Sequence, residues 1–143
     1  MKASLRALLE YKGRDVETVD PDTSVFVAVQ RMNVRHIGAL VITDEENLVG
    51  IMTERDVLSR VVATNRDPTG TRVWEVMTRD PVIIGADATI EEALAVVSNR
   101  RCRHLPVVHQ GALYGLVSAG DLTAWIVRDQ RRTIDDLYDY VTR

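Results

Sequence analysis

The segment Gly50-Ile51-Met52-Thr53-Glu54-Arg55-Asp56 recurs 65 residues later as Gly115-Leu116-Val117-Ser118-Ala119-Gly120-Asp121. An apolar pattern ahead of each segment repeats at the same spacing, and each copy has the periodicity of one helical face. The apolar residues are Val25, Ala28, Val29 and Met32 in the first copy and Ile90, Ala93, Leu94 and Val97 in the second. Two blocks that recur at one spacing indicate a duplicated structural unit.

Each copy predicts a short strand, a helix, a β-hairpin and a final helix, which together form a βαββα unit. The predicted short strands are residues 17–19 and 82–84, the first hairpin strands are residues 37–42 and 105–108, and the final helices open at Thr53 and Ser118. We expect the second copy to have two more residues before its hairpin, at 101–104. We also expect two fewer in its turn, where Gln110-Gly111 replaces residues 44–47.

The predicted fold class is α/β (α+β), with two units in a pseudo-twofold tandem pair and an extra helix at each end. The predicted divisions are residues 1–15 (N-terminal helix), 16–62 (unit 1), 63–73 (linker), 74–127 (unit 2) and 128–143 (C-terminal helix). Residues 4–12 are amphipathic and precede Gly13, whereas Thr133 begins a second helix-start pattern. The apolar face of that last helix, formed by Ile134, Leu137, Tyr138 and Val141, requires packing on the other unit or on another subunit.

Composition restricts the class of protein. The chain has 143 residues, of which 45% are hydrophobic and 27% charged, with a net charge of −3 and a pI of about 5.6. These values exclude a large multidomain enzyme and provide no overall positive field for nucleic acid or an anionic membrane. The single cysteine, Cys102, excludes an intrachain disulfide, and no apolar stretch approaches the ~18–20 residues of a membrane span, so we expect a cytoplasmic protein.

The repeated units resemble a tandem pair of cystathionine-beta-synthase (CBS) domains, also called a Bateman module. The resemblance covers about residues 16–127, and its most specific parts are the two Thr/Ser-x-x-Asp segments and the strand starts at 37–41 and 103–107. The chain is similar to small stand-alone bacterial proteins of this family. The resemblance implies a non-catalytic regulatory module in signal transduction, with two clefts between its units and association as a flat homodimer.

Members of this family bind AMP, ADP, ATP, NAD or S-adenosylmethionine in their clefts, so the resemblance implies an adenosine-containing ligand but not which one. No cofactor is required. The expected partners are an adenine nucleotide, a second copy of the chain and an unidentified regulated protein, whereas nucleic acid and membranes are not expected.

The repeated motif suits a nucleotide. A helix that begins at Thr53 or Ser118 directs unpaired backbone N–H groups and a hydroxyl toward a phosphate. Three residues later, Asp56 or Asp121 supplies a carboxylate that can bridge the ribose hydroxyls. The competing interpretation is a capping box, in which the same side chains bond only the helix's own N–H groups. One of the two copies can therefore have a purely structural role.

The remaining predicted contacts surround these two motifs. We expect Arg103 and His104 to neutralise phosphate in the second half and Arg55 to do so in the first. The adenine is expected against strand-edge and motif residues, which are Ile37, Gly38 and Ala39 beside Asp121, Leu105 and Pro106 beside Asp56, and the apolar motif positions Ile51 and Leu116.

Three other functions are open to the sequence. A metal site of Cys102, His104 and His109 matches no usual ligand spacing, and we predict no metal. A catalytic trio of Ser118, His104 and Asp121 is better explained by phosphate and ribose binding, so we predict no enzyme. The main alternative is an interaction module that dimerises through its apolar helices and binds no ligand.

Overall fold

The computed structural model describes residues 2–142, and the predicted unit occurs in it twice. Helix α1 (Leu5–Lys12) precedes the first unit, which consists of β1 (Thr18–Val19), α2 (Val25–Arg35), β2 (Ala39–Asp44), β3 (Asn47–Thr53) and α3 (Glu54–Val57), continued by a π-helical turn, Leu58–Val62. Helix α4 (Val73–Val76) and β4 (Thr78–Arg79) follow the linker. The second unit consists of β5 (Ile84–Gly85), α5 (Ile90–Arg100), β6 (His104–His109), β7 (Ala112–Ser118) and α6 (Ala119–Thr142). Met1 and Arg143, the outermost residues of the predicted end segments, lie outside the described part.

Each unit contains a small mixed sheet. The first sheet has the order β1-β2-β3-β4 and the second the order β5-β6-β7. In both, a short strand runs parallel to the first hairpin strand, and the hairpin strands are antiparallel. The predicted fold class, two βαββα units with mixed sheets, is confirmed. Within residues 2–142, every helix is too short or too polar to cross a bilayer.

The two hairpins have identical lengths, so the predicted difference between them is wrong. Ala39 pairs with Thr53 and His104 pairs with Ser118, which places the hairpins 65 residues apart at every position. The first loop contains only Glu45 and Glu46, both at positive φ, as is usual in a two-residue hairpin turn. Glutamate is a rare residue at positive φ, so the sequence hid this turn. The structural counterpart of His104 is therefore Ala39, and not Ile37.

The cores of the two units exchange helices. Val73 and Val76 of α4 belong to the core of the first unit, whereas Leu5 and Leu8 of α1 belong to the core of the second. Helix α1 was predicted to lie outside the repeat, but it is the counterpart of α4 at a spacing of 68 residues, as the pair Leu5 and Val73 shows. Each unit is therefore completed by the helix that precedes the other.

Backbone hydrogen bonds fix this exchange on both sides. The N–H of Val73 donates to Thr23 O at 2.9 Å, and the N–H of Leu5 donates to Ala88 O at 2.8 Å. The two helices thus attach to equivalent positions, immediately before α2 and before α5. The fold of each unit depends on a segment that lies far away in the chain.

The repeated glycines accommodate the exchanged helices. A Cβ added to Gly115 would lie 2.8 Å from Leu9 Cδ1, and one added to Gly50 would collide with the Met77 side chain. Leu9 is fully buried and Met77 is 8% exposed, so neither has free space to move into. Only glycine permits this close approach of helix to strand.

The C-terminal part of the chain continues α6. The predicted separate helix at 128–143, with a start at Thr133, is wrong, because α6 is one helix of 24 residues and the Thr133 hydroxyl donates to Asp129 O inside it. The predicted apolar face is present, but its side chains are 60–78% exposed; they are Ile134, Leu137, Tyr138 and Val141. This face has no partner among the described residues.

Replacing Gly115 by alanine is expected to destabilise the protein by about 1–3 kcal/mol, because the new methyl group overpacks against Leu9. Urea unfolding measures the change. Gly85→Ala is the control, since nothing lies within 4 Å of its added Cβ, and its effect should stay within about 0.5 kcal/mol. Adding Leu9→Ala to Gly115→Ala should make the two losses less than additive. Equal stability of the two glycine variants would contradict the proposed packing.

Candidate functional site

A cavity of about 240 Å³ lies between the two units, where β2 of the first faces β7 and the start of α6 of the second. It brings together seven of the residues predicted from the sequence, which are Ile37, Gly38, Ala39, His104, Leu116, Ser118 and Asp121. It also contains residues that were not predicted as ligand contacts, which are Lys12, Asp15, Val16, Glu17 and His36. We refer to this cavity as the Asp121 cleft.

The floor of the cleft is a contact between the units. A Cβ added to Gly38 would lie 3.6 Å from the ring Nε2 of His104 and 3.6 Å from Glu54 Oε1. Gly38 precedes β2, and the absence of a side chain keeps this region open to a planar group. Burial lowers the pKa of His104 more than the neighbouring Asp121 carboxylate raises it. The imidazole is therefore neutral at pH 7.

Asp121 lies on the first turn of α6 and faces the cleft with a quarter of its side chain exposed. Its Oδ2 accepts from Ser118 N at 2.8 Å, and Asp121 N donates to Ser118 Oγ at 3.0 Å, so the capping box is present. The same Oδ2 accepts from Lys12 Nζ at 2.6 Å, and that ammonium also donates to Leu116 O at 3.0 Å. Within residues 2–142, Oδ1 has no hydrogen-bond partner and remains available.

The charge state of Asp121 follows from these contacts. Burial acts to raise its pKa, but the hydrogen bonds from Lys12 and from Ser118 N outweigh burial, so the pKa is lowered. Asp121 is thus a charged acceptor at neutral pH, with one oxygen directed away from its own helix.

Asp56, the counterpart of Asp121, is placed differently. It is 8% exposed, and its Oδ2 accepts from Thr53 N at 3.0 Å in a complete capping box. The Thr78 hydroxyl donates to Oδ1 at 3.3 Å, and Arg60 Nε lies 3.8 Å from the same oxygen. Both carboxylate oxygens are engaged inside the protein, which is the structural role that the capping interpretation describes.

The sequence matches the CBS domain family twice, over residues 10–63 and 73–128. The chain belongs to the CBS domain family. The CBS domain protein NE2398 has a crystal structure that is 38% identical in sequence, with a TM-score of 0.85 over 89% of this chain and 99% of that chain. A protein with CBS domains from Burkholderia ambifaria MC40-6 is 35% identical, with a TM-score of 0.85 over 90% of this chain and 96% of that chain.

Among curated proteins, the mitochondrial CBS domain-containing protein CBSX3 of Arabidopsis thaliana is 30% identical over 84% of this chain. The chain spans about three fifths of the length of CBSX3, since the match covers 61% of it. The chain is therefore a tandem pair of CBS domains, a type of regulatory module, and its relatives are regulatory and signalling proteins with CBS domains.

Several predicted contacts of the CBS pair lie elsewhere than expected. Leu105 is fully buried in the core of the second unit and Pro106 is buried beside it, so neither forms a wall beside Asp56. The error follows from the hairpin register, because the counterparts of Gly38 and Ala39 are Arg103 and His104. Of the other residues expected near Asp56, Ile51 is 5% exposed, whereas Arg55 and Thr53 are more accessible.

The helix starts offer fewer free amides than the sequence predicted. Ala119 N donates to Arg103 O at 2.8 Å, and Asp121 N donates to the Ser118 hydroxyl. Only the Gly120 amide is left without a partner in the first three residues of α6, counted over the part of the chain that is described. The Arg103 side chain is exposed, and its backbone rather than its guanidinium contacts the motif.

Lys12 is the cleft residue that sequence reasoning missed. It is the last residue of α1, and α1 was placed outside the repeat, so nothing connected it with Asp121. The available signal was a basic residue just before the glycine stop at Gly13. The predicted alternative of a metal site has no counterpart in residues 2–142, where no cluster of metal-ligating side chains occurs.

The buried His104 is expected to make the stability of the CBS pair dependent on pH. Its pKa is lowered from 6.5 in the folded state, so the unfolded chain takes up a proton that the folded chain refuses. The free energy of unfolding should therefore decrease as pH falls below about 6.5. Urea unfolding at pH 7.5 and 5.5 should show a larger loss for the wild type than for His104→Gln. Equal losses in the two proteins would contradict this assignment.

Proposed function

We propose that this CBS pair is a non-catalytic sensor that binds an adenosine-nucleotide-class ligand in the Asp121 cleft. The observation that carries the proposal is the cavity between the units, with the free Oδ1 of a charged Asp121 at its edge. Of the two repeated carboxylates, this one retains an oxygen for an external donor. The family to which the chain belongs supports a regulatory role.

Ribose recognition falls to Asp121. A charged carboxylate accepts hydrogen bonds but donates none, so it suits the two hydroxyls of a ribose. Oδ1 accepts a ribose hydroxyl while Lys12 remains on Oδ2, so binding does not require the ion pair to break. The adenine lies against Gly38 and Ala39, where the backbone is uncovered.

The structure supports one ligand per chain rather than two. Asp56 bonds Thr53 and Thr78 and is nearly inaccessible, so a ribose at this position would have to displace bonds that stabilise the fold. The Asp121 cleft has no such competitor on Oδ1. The two halves of the repeat therefore have different roles, structural in the first and ligand-binding in the second.

Signalling follows from the position of the cleft between units. A ligand there contacts Ala39 in the first unit and Asp121 in the second, so it favours one relative placement of the two. A ligand shifts a conformational equilibrium by its difference in affinity between the states. The regulated partner is read through this placement.

The CBS pair is also proposed to form a homodimer through the exposed end of α6. A helix that extends alone into water is marginal, and its apolar stripe of Ile134, Leu137, Tyr138 and Val141 is uncovered. Charge favours a second copy in the antiparallel direction. The residues before the stripe's centre are mainly basic (Arg128, Arg131, Arg132) and those after it are acidic (Asp135, Asp136, Asp139), so antiparallel helices place opposite charges together.

Asp121→Asn is expected to weaken binding of AMP and of S-adenosylmethionine by about tenfold or more, because a charged acceptor is lost. Isothermal titration calorimetry measures the change. Asp56→Asn is the matched control: it alters the equivalent residue of the other unit and should lower the melting temperature while leaving affinity within about twofold. Unchanged binding to Asp121→Asn would contradict the site. Absence of binding by the wild type would favour a ligand-free interaction module.

Leu137→Asp is expected to raise the dimer dissociation constant by about tenfold or more, since it buries a charge in the helix pair. Sedimentation velocity over a concentration series measures it. Tyr140→Asp is the control, because Tyr140 is equally exposed but lies off the apolar stripe. A wild type that stays monomeric at high concentration, or a dimer indifferent to Leu137→Asp, would contradict the helix pairing.

A further inference from the structure

We infer that the ligand of the Asp121 cleft is an adenosine whose 5′ substituent carries positive charge, with S-adenosylmethionine as the chemical type, and not a nucleoside polyphosphate. The inference rests on the proposed adenosine site and concerns only the group attached to the ribose. It is carried by the charges that line the cleft and by the pairing of the amides that a phosphate would need.

Acidic side chains outnumber basic ones in the cleft. Asp15, Glu17 and Asp121 line the cavity together with a single ammonium, that of Lys12. Lys12 is bonded to Asp121 Oδ2 at 2.6 Å, so its charge is already balanced. The imidazole of His104 adds no positive charge at neutral pH because burial lowers its pKa. The remaining field at the cleft is negative.

The same acidic residues line the way out of the cleft. An adjoining cavity of about 490 Å³ is lined by Asp15, Val16, Glu17, Arg35 and Ile37, and it shares all of these except Arg35 with the inner cavity. Arg35 Nε lies 3.5 Å from Glu17 Oε2, so the guanidinium has a carboxylate partner. A 5′ substituent that leaves the inner cavity therefore passes two carboxylates.

Size divides the ligand between the two cavities. The inner cavity, about 240 Å³, is smaller than the roughly 300–1,000 Å³ that usually encloses a whole drug-sized ligand. The nucleoside fills the inner cavity, and the substituent must extend into the outer one. The charge of the outer cavity thus decides which substituents are accepted.

A phosphate would also lack its usual donors. In α6, the first amide is paired with Arg103 O and the third with Ser118 Oγ. The Gly120 amide alone cannot replace the several N–H groups that normally bind a phosphate at a helix start. S-adenosylmethionine, in contrast, carries a sulfonium and an ammonium against one carboxylate, and Asp15 and Glu17 complement those cations.

The test is a calorimetric series of adenosine, AMP, ADP, ATP and S-adenosylmethionine on the full chain, at fixed ionic strength and with EDTA present. We expect S-adenosylmethionine to bind most tightly and affinity to fall with each added phosphate, with ATP about tenfold or more weaker. If ATP binds most tightly, the inference is overturned while the proposed function stands. If none of the five ligands binds, the proposed function fails and the inference with it.

A pair of charge reversals tests the cause. Asp15→Lys should weaken S-adenosylmethionine and strengthen ATP, each by about three- to tenfold, because the exposed Asp15 lines both cavities. Asp44→Lys makes the same charge change at the exposed far end of β2 and should leave the order of affinities unchanged. Equal effects of the two variants would show that overall charge, rather than the cleft, sets the preference, and would overturn the inference.

Discussion

The packing of an α-helix on a strand glycine, made twice and across the two units, is the contact on which the rest of the structure depends. Leu9 of α1 lies on Gly115, and Met77 lies on Gly50. Each contact closes the core of one unit with a residue from ahead of the other. Because the packing is reciprocal, neither core is complete without the whole chain from α1 to α6.

The same contact builds the cleft. Helix α1 ends at Lys12, and the packing of Leu9 on the second unit brings that ammonium to Asp121. In the other half, the equivalent packing of Met77 is followed at once by Thr78, whose hydroxyl bonds Asp56. One repeat thus leaves its carboxylate facing a cavity and the other buries it. Two equal motifs acquire unequal environments from the segments packed against them.

The sequence predicted the repeated parts of the fold and missed the parts that depend on distant segments. The periodicity ahead of Thr53 and Ser118 located α2 and α5, and the motif located the cleft. Helix α1 escaped because it repeats at a different spacing, and the two-residue turn escaped because Glu45 and Glu46 are unusual at positive φ. The misplaced register then led to Leu105 and Pro106 as expected cleft residues. Whether an aspartate binds or only caps depends on Lys12 and Thr78, which no local pattern connects to it.

The exchange of α1 and α4 also bears on how such a module is inherited. A gene fragment that encodes only the second half would produce a chain whose core lacks Leu5, Leu8 and Leu9 and exposes an apolar groove in their place. Duplication of a single half could therefore give a stable product only if two copies lent each other their leading helices. The smallest piece that recombination can move intact is the pair, and the ancestral single unit would have lived as an intertwined twin.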